Sequence, residues 1–310
     1  MTKLGTLKKT MTVTKNPAAG LLLKRSNKRK SIRFRNGFTF QLTWPQFRVI
    51  RDNYALMKNF SITQEGENLF RIKANESEVI CAISQAPLIC DLMGAYTIDQ
   101  IGSDLFRARD AKTELVGSYC MLGCLQELKT GEYSCNCLGK VVLDVGGYQG
   151  ETAVFFSSLG ARKVIVYEPV EAHIEFIAKN AKLNNVSLEI HNEGIGNHDG
   201  IQTVNYTEEN TSFGLEISGP KTIEIKVKNV SKIIEESGAE IAKFDCEGAE
   251  ISLMDVPDEI LRKIEHYLIE VHSRDLRRLI IEKFRNARFF VEKETLKPPQ
   301  YAVLSLKRLN

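Results

Sequence analysis

Four groups of residues in this chain have the types and spacing to do chemistry. The first is Asp144-Val-Gly-Gly-Tyr-Gln-Gly150, an acid followed by a turn containing Gly146, Gly147, Tyr148 and Gly150. Glycines at such a turn let a ligand approach the backbone closely. The second is Tyr167-Glu168-Pro169, whose Glu168 stands 24 positions after Asp144. An acid at the end of a second strand, about 20 residues on, is placed to accept hydrogen bonds from ribose hydroxyls. The third and fourth are Lys243-Phe-Asp-Cys-Glu-Gly-Ala-Glu250 and Ile269-Glu-Val-His272. On extended backbone, side chains alternate faces, so Asp245 and Glu247 are expected on one side of their segment and Glu270 and His272 on one side of theirs.

The spacing narrows the ligand. Tyr148 and Glu151 stand where a dinucleotide fingerprint requires its second and third glycines, so NAD is disfavoured. No lysine follows Gly146 and Gly147 as a phosphate-cradling loop demands, so ATP loses its main support. An acid in front of a turn that holds no cation suits a ligand with a cationic amine or sulfonium and no phosphate. S-adenosylmethionine fits that description, with Asp144, Gly146, Gly147, Tyr148, Gly150, Glu168 and Pro169 as its expected binding residues.

These side chains need a scaffold with several strands ending together. Val141–Asp144, Lys163–Tyr167, Ser187–His191, Lys221–Lys228, Ile241–Cys246 and Tyr267–His272 read as strands. Glu171–Leu183, Ser231–Ser237 and Asp275–Asn286 read as helices between them, and Arg288–Glu292 with Tyr301–Leu306 as closing strands. Alternation over about 170 residues predicts an α/β fold with one open, mostly parallel sheet flanked by helices. Ligands in such sheets bind beyond the carboxyl ends of the strands, where all four acidic and imidazole side chains lie.

Together with Asn180 and Asn184-Asn185, the four motifs in this order resemble the FkbM-type methyltransferases across roughly residues 139–292. Tyr148 replaces a Gly common in the wider superfamily, and Cys246 stands where an aliphatic residue is usual. The resemblance implies a class I (Rossmann-like) methyltransferase domain that binds S-adenosylmethionine and methylates a hydroxyl oxygen of a sugar, glycan or natural-product acceptor. O-methylation is expected ahead of N- or C-methylation.

Methyl transfer is an in-line displacement accelerated chiefly by holding the reacting atoms together with water excluded. An acceptor hydroxyl has a high pKa, so a general base within reach helps; Asp245, Glu247 and His272 are the catalytic candidates. Structural alternatives stand beside them: His272 as a cap on its strand, and Glu250 as a first-turn carboxylate complementing a helix dipole. Asp, two Glu and His also suit a hard cation, but no spaced ligand motif is present and no metal is expected.

Residues 1–51 contain 13 Lys or Arg and no Asp or Glu, whereas the remaining 259 carry 29 basic and 39 acidic residues. Residues 1–35 therefore read as a mobile basic arm, 36–138 as an accessory α+β region and 139–310 as the methyltransferase domain. The accessory region is expected to have strands around the turn Asn36-Gly37, a helix over Pro45–Lys58 and a role in shaping the acceptor pocket or a subunit contact. The arm is compatible with a polyanion such as RNA, but only Trp44 follows it, so no aromatic platform for bases is evident and nucleic acid is not the favoured partner. An RNA methyltransferase and a cofactor-binding protein without turnover are the competing functions. No apolar run of about 18 residues is present and Leu21-Leu-Leu23 is too short for a signal-peptide core, so a cytoplasmic protein without a transmembrane segment is expected, for which homo-oligomerisation is open. The seven cysteines then read as thiols, with zinc at Cys120, Cys124, Cys135 and Cys137 disfavoured by the missing C-x-x-C spacing.

Overall fold

The computed structural model describes residues 3–24, 28–206, 213–214, 221–297 and 301–309. The chain divides into two compact units, residues 1–111 and 112–310. Residues 112–138, grouped by sequence with the N-terminal region, thus belong with the second unit.

In the first unit come helices α1 (Lys3–Val13) and α2 (Pro17–Leu23), strands β1 (Lys30–Arg33) and β2 (Thr39–Leu42), and helices α3 (Trp44–Asp52) and α4 (Tyr54–Met57). They are followed by β3 (Ser61–Gln64), β4 (Leu69–Ala74), β5 (Ser77–Ala82), α5 (Ala86–Leu92), β6 (Thr97–Gly102) and β7 (Leu105–Arg109). The described part of the expected basic arm, residues 3–24 and 28–35, is folded and not a free tail. Val13, Leu23, Ile32 and Phe34 are buried, and Phe34 packs on Phe40, Phe47 and Tyr54. The charge run hides this because Ile32 and Phe34 alternate with Arg33 and Arg35 and have a core to enter. Gly37 takes φ +102° in the β1–β2 turn, as the Asn36-Gly37 pair predicts. The expected helix over Pro45–Lys58 is interrupted at Asn53, which caps both α3 and α4.

The second unit begins with β8 (Glu114–Gly117) and α6 (Tyr119–Lys129), then alternates β9 (Val141–Val145), α7 (Glu151–Ser158), β10 (Lys163–Tyr167), α8 (Glu171–Leu183) and β11 (Leu188–His191). After these come β12 (Gly194–Gly196), β13 (Gly200–Tyr206), β14 (Phe213–Gly214), β15 (Lys221–Asn229), α9 (Val230–Ser237) and β16 (Ile241–Phe244). A 3-10 helix (Ala249–Asp255), α10 (Asp258–Leu261), β17 (His266–Val271), α11 (Arg274–Asn286), β18 (Phe289–Lys297) and β19 (Tyr301–Arg308) complete it.

The main sheet has seven strands in the order β11-β10-β9-β16-β17-β19-β18. The first five are parallel, and β19 and β18 close the edge antiparallel. Every residue of β9, β16 and β17 is buried, as expected for central strands covered on both faces. One predicted strand lies elsewhere. β15 joins β12, β13 and β14 in a separate sheet, because its alternation of Ile223, Ile225 and Val227 with charged residues offers only one apolar face. Thr211 and Ser212, which by sequence could touch an acceptor but need not, lie outside the described residues.

Candidate active site

Glycine geometry sets the site. Gly146 (φ +80°) leaves β9 so close to the end of β16 that a Cβ on it would fall 1.8 Å from the Asp245 carbonyl oxygen. A Cβ on Gly147 would meet Val166 Cγ1 at 2.2 Å, and Gly150 caps α7 with φ +91° against Ile177. The glycines are thus required by the packing of the loop on the sheet and on α8. Tyr148 takes φ +42° without being a glycine, and its ring meets His173 edge-on.

Glu168 anchors that loop. Its carboxylate accepts the Tyr148 N–H at 3.0 Å and the Val170 N–H at 2.9 Å, and lies 3.1 Å from His173 Nδ1. Asn180, wholly buried on α8, accepts the Val116 N–H and donates to Val116 O and Gln149 O, tying β8 to the same loop.

Asp144 is placed differently from the sequence expectation. It lies inside β9 rather than at its end, fully buried, and its Oδ2 accepts the Thr152 hydroxyl at 2.6 Å. It stands opposite Lys243 in the β9–β16 register, with Oδ1 3.4 Å from Nζ. Lys243 is itself 2% exposed and donates to Gly146 O at 2.7 Å. Burial alone would lower the Lys243 pKa, but the Asp144, Asp245 and Glu151 charges outweigh it and hold the ammonium protonated. Asp144 therefore meets Lys243 and Thr152 and does not itself line the cavity beyond the strand ends.

Beyond the strand ends lies a cavity of about 270 Å³. Of the predicted residues, Gly146, Tyr148, Glu168, Pro169, Asp245 and Glu247 line it, whereas Asp144, Gly147, Gly150 and His272 do not. Val145, Ile195, Val204 and Ile225 form an apolar wall, the last three supplied by the separate small sheet. Residues that sequence reasoning missed also line it: Cys120, Cys124, Glu127 and Tyr133 from residues 119–133, together with Glu151 and Lys243. Lys243 opens the third motif and Glu151 directly follows the first; Tyr133 and Glu127 carry no local signal.

Asp245 follows β16 directly. Its Oδ2 accepts the Tyr133 hydroxyl at 3.0 Å and lies 3.6 Å from Lys243 Nζ. Burial would raise this carboxyl, yet Lys243, His272 and Lys297 together with the Tyr133 hydrogen bond hold it below the ordinary aspartate range. Glu247 reaches the cavity through a left-handed turn (φ +53°) rather than by strand alternation, because the chain leaves the sheet after Phe244. Burial, reinforced by Asp245 and Glu250, lifts Glu247 to about 7.

Glu270 and His272 do share a side of their segment, and with Asp245 their ligand-type atoms lie within 4.8 Å of one another. Glu270 accepts the Tyr133 hydroxyl at 2.8 Å and the Lys297 ammonium at 3.2 Å, and burial with the Asp245 charge lifts it to about 8. Glu250 takes the structural role considered for it: fully buried, it accepts the N–H groups of Cys246 and Gly248 at the start of the 3-10 helix. The seven cysteines are free thiols, and among the described residues Cys120, Cys124, Cys135 and Cys137 form no metal-ligating group.

The donor set suits a cationic ligand. Glu127, Glu151, Glu168, Asp245 and Glu247 face the cavity, against Lys243 as its lining ammonium. One oxygen of Glu151, a residue that lines the cavity, is buried without a hydrogen-bond partner. An apolar wall for a purine, carboxylates for an ammonium and sulfonium, and no phosphate cradle fit S-adenosylmethionine.

Comparison with known proteins gives a match to the model of the methyltransferase FkbM domain over residues 144–293. Similar solved structures include a ribosomal protein L11 methylase from Lactobacillus delbrueckii subsp. bulgaricus, at 13% identity, covering 61% of this chain and 80% of that one with a TM-score of 0.37. A protein in the NADB-Rossmann superfamily from Streptococcus agalactiae is 15% identical, with coverages of 60% and 69% and a TM-score of 0.39. A structure solved in complex with SAH is 8% identical, with coverages of 90% and 87% and a TM-score of 0.47. No curated protein sequence matches the chain at a significant level. Residues 144–293 thus match the methyltransferase FkbM domain, and S-adenosylmethionine is the cofactor that this match and the cavity support.

Proposed function

We propose that this domain methylates a hydroxyl oxygen on a sugar, glycan or related natural-product acceptor, with Asp245 receiving the hydroxyl's hydrogen bond and proton. One observation carries the reading. An ionised carboxylate, held by Lys243 and Tyr133, lines the same cavity as the loop-anchoring Glu168.

Glu168, Tyr148 and Pro169 would hold the nucleoside part of the cofactor, and Glu151 its cationic end; the cofactor supplies the methyl group. A hydroxyl loses its proton only as the new bond forms, so a base is most useful when already ionised and within hydrogen-bond reach. Asp245 meets the first condition through its surrounding cations. Glu247 is the neighbouring carboxyl on the cavity wall, and its position near neutrality suits it to orient the acceptor through a second hydroxyl. The apolar lining keeps water from competing for the methyl group.

The test is to incubate purified protein with methyl-labelled S-adenosylmethionine and a fractionated cell extract, then identify the labelled product. An ether-linked methyl on a hydroxylated small molecule or glycan supports the reading. Label confined to nitrogen, carbon or RNA overturns it.

A further inference from the structure

We propose that Asp245, Glu270 and His272 form a binding site for a single hard divalent cation, of the Mg²⁺ or Mn²⁺ class, beside the cavity that Asp245 lines. Two oxygens and one imidazole nitrogen come from the ends of two adjacent parallel strands, β16 and β17, within 4.8 Å of one another. Ligands on opposite sides of one cation with bonds of about 2.1–2.6 Å are about 4.2–5.2 Å apart, so small side-chain rotations close the set. Mixed carboxylate and imidazole ligation suits these ions rather than a soft metal.

Two further observations point to a missing positive charge there. His272 is about nine-tenths buried, yet its Nδ1 has no hydrogen-bond partner; Glu250 is 3.9 Å from that nitrogen and Glu247 is 3.6 Å from Nε2. Both contacts are too long for hydrogen bonds, so the ring lies among carboxylates without being fixed by any of them. The second observation is Tyr133. Its oxygen lies 3.0 Å from Asp245 Oδ2 and 2.8 Å from Glu270 Oε2, but a phenol has one hydrogen to donate. A single phenol hydrogen therefore serves two carboxyl groups.

The lysines nearby are already shared. Lys297 pairs with Glu127, Glu132 and Glu270, and Lys243 with Asp144 and Asp245. A divalent ion bound by Asp245, Glu270 and His272 relieves this excess of negative charge and leaves coordination positions open toward the cavity. The use of those positions rests on the O-methyltransferase reading: an acceptor hydroxyl bound to the cation has a lowered pKa and is held in place for methylation. Cation binding itself does not depend on that reading.

The experiment titrates Mn²⁺ alone into chelator-treated full-length protein, following free Mn²⁺ by electron paramagnetic resonance. One equivalent bound per chain, with nitrogen coupling from a single imidazole in the pulsed spectrum of the wild type, is expected. Glu270→Gln and His272→Ala should each weaken binding by at least about tenfold, and the alanine variant should lose the nitrogen coupling. No saturable binding, or bound Mn²⁺ without nitrogen coupling, overturns the site even if the variants fail to fold. Binding that S-adenosylhomocysteine abolishes also overturns it, since the cation would then occupy the cofactor's own place. Calorimetry with S-adenosylhomocysteine on the same samples separates the two ideas: cofactor binding without Mn²⁺ binding leaves the methyltransferase reading intact, and a labelled product without hydroxyl methylation removes only the cation's proposed use.

Discussion

Gly146 and Asp245 meet backbone to backbone: the α-carbon of one presses toward the carbonyl of the other so closely that even a methyl group between them would sit 1.8 Å from oxygen. The same two residues are joined through Lys243, which donates to Gly146 O and pairs with the Asp245 carboxylate. Cofactor loop and candidate base are therefore one mechanical unit. Gly146→Ala adds left-handed strain to this collision and should cost at least about 3 kcal/mol while abolishing cofactor binding. Chemical denaturation and calorimetry with S-adenosylhomocysteine measure both effects, and a variant of wild-type stability would contradict the packing described.

Glu168 should act more on affinity than on turnover. Glutamine keeps its size, but the amide nitrogen cannot accept from both the Tyr148 and Val170 N–H groups as the carboxylate does. Glu168→Gln is expected to weaken S-adenosylmethionine binding roughly tenfold, about 1.4 kcal/mol, in isothermal titration. Unchanged affinity would remove Glu168 from the cofactor site.

The opposite split is expected at Asp245. Asp245→Asn retains the contour of the cavity and a partner for Tyr133 but cannot take a proton. With a turned-over acceptor in hand, kcat should fall about 10²–10⁴-fold while S-adenosylhomocysteine affinity changes less than about tenfold. Full activity in this variant would end its assignment as base.

Lys243 is the structural cation between Asp144 and Asp245. Lys243→Met leaves two buried carboxylates without their shared ammonium, and urea denaturation should register a loss of about 3–5 kcal/mol. Adding Asp144→Asn to the same chain should recover part of it, because one of the orphaned charges is then gone. An additive double variant would mean that the pair is not energetically coupled.

His266 supplies a pH dependence away from the cavity. Burial lowers its pKa from 6.5 to about 4, and its Nε2 lies 2.8 Å from Ser305 Oγ. A neutral buried imidazole is favoured in the fold, whereas the unfolded chain takes up a proton below about 6.5. Its contribution is thus complete above pH 6.5 and is lost progressively as pH falls toward 4, by up to about 3 kcal/mol. The difference in unfolding free energy between wild type and His266→Gln, measured from pH 7 to pH 4, should change in that direction and not the reverse.

Periodicity and turn chemistry made much of the second unit legible. The alternation of apolar strands with amphipathic helices specifies β9 to β11 and β16 to β19, since each element must bury one face or both. The motif 144–150 marks its loop because only glycine tolerates φ of +80° or +91° in a tightly packed turn. Glu168, Asp245 and Glu247 were visible as acids placed at the carboxyl ends of strands. The folded state of residues 3–24 and 28–35 was obscured by their charge, because the burial of Leu23, Ile32 and Phe34 depends on aromatic partners beyond them.

The sequence by itself thus determined a parallel α/β scaffold, a glycine turn and the family of chemistry built on them, because these follow from interactions between near neighbours along the chain. Only the tertiary structure decided that Asp144 faces Lys243, that Tyr133 spans Asp245 and Glu270, and that Lys297 gathers Glu127, Glu132 and Glu270. Those relationships join residues separated by roughly a hundred positions or more, or brought together across strand ends, and no local pattern encodes them. Charge balance inside a buried cavity is set by what the fold brings within a few ångströms, and the spacing of residues along the chain does not reveal it.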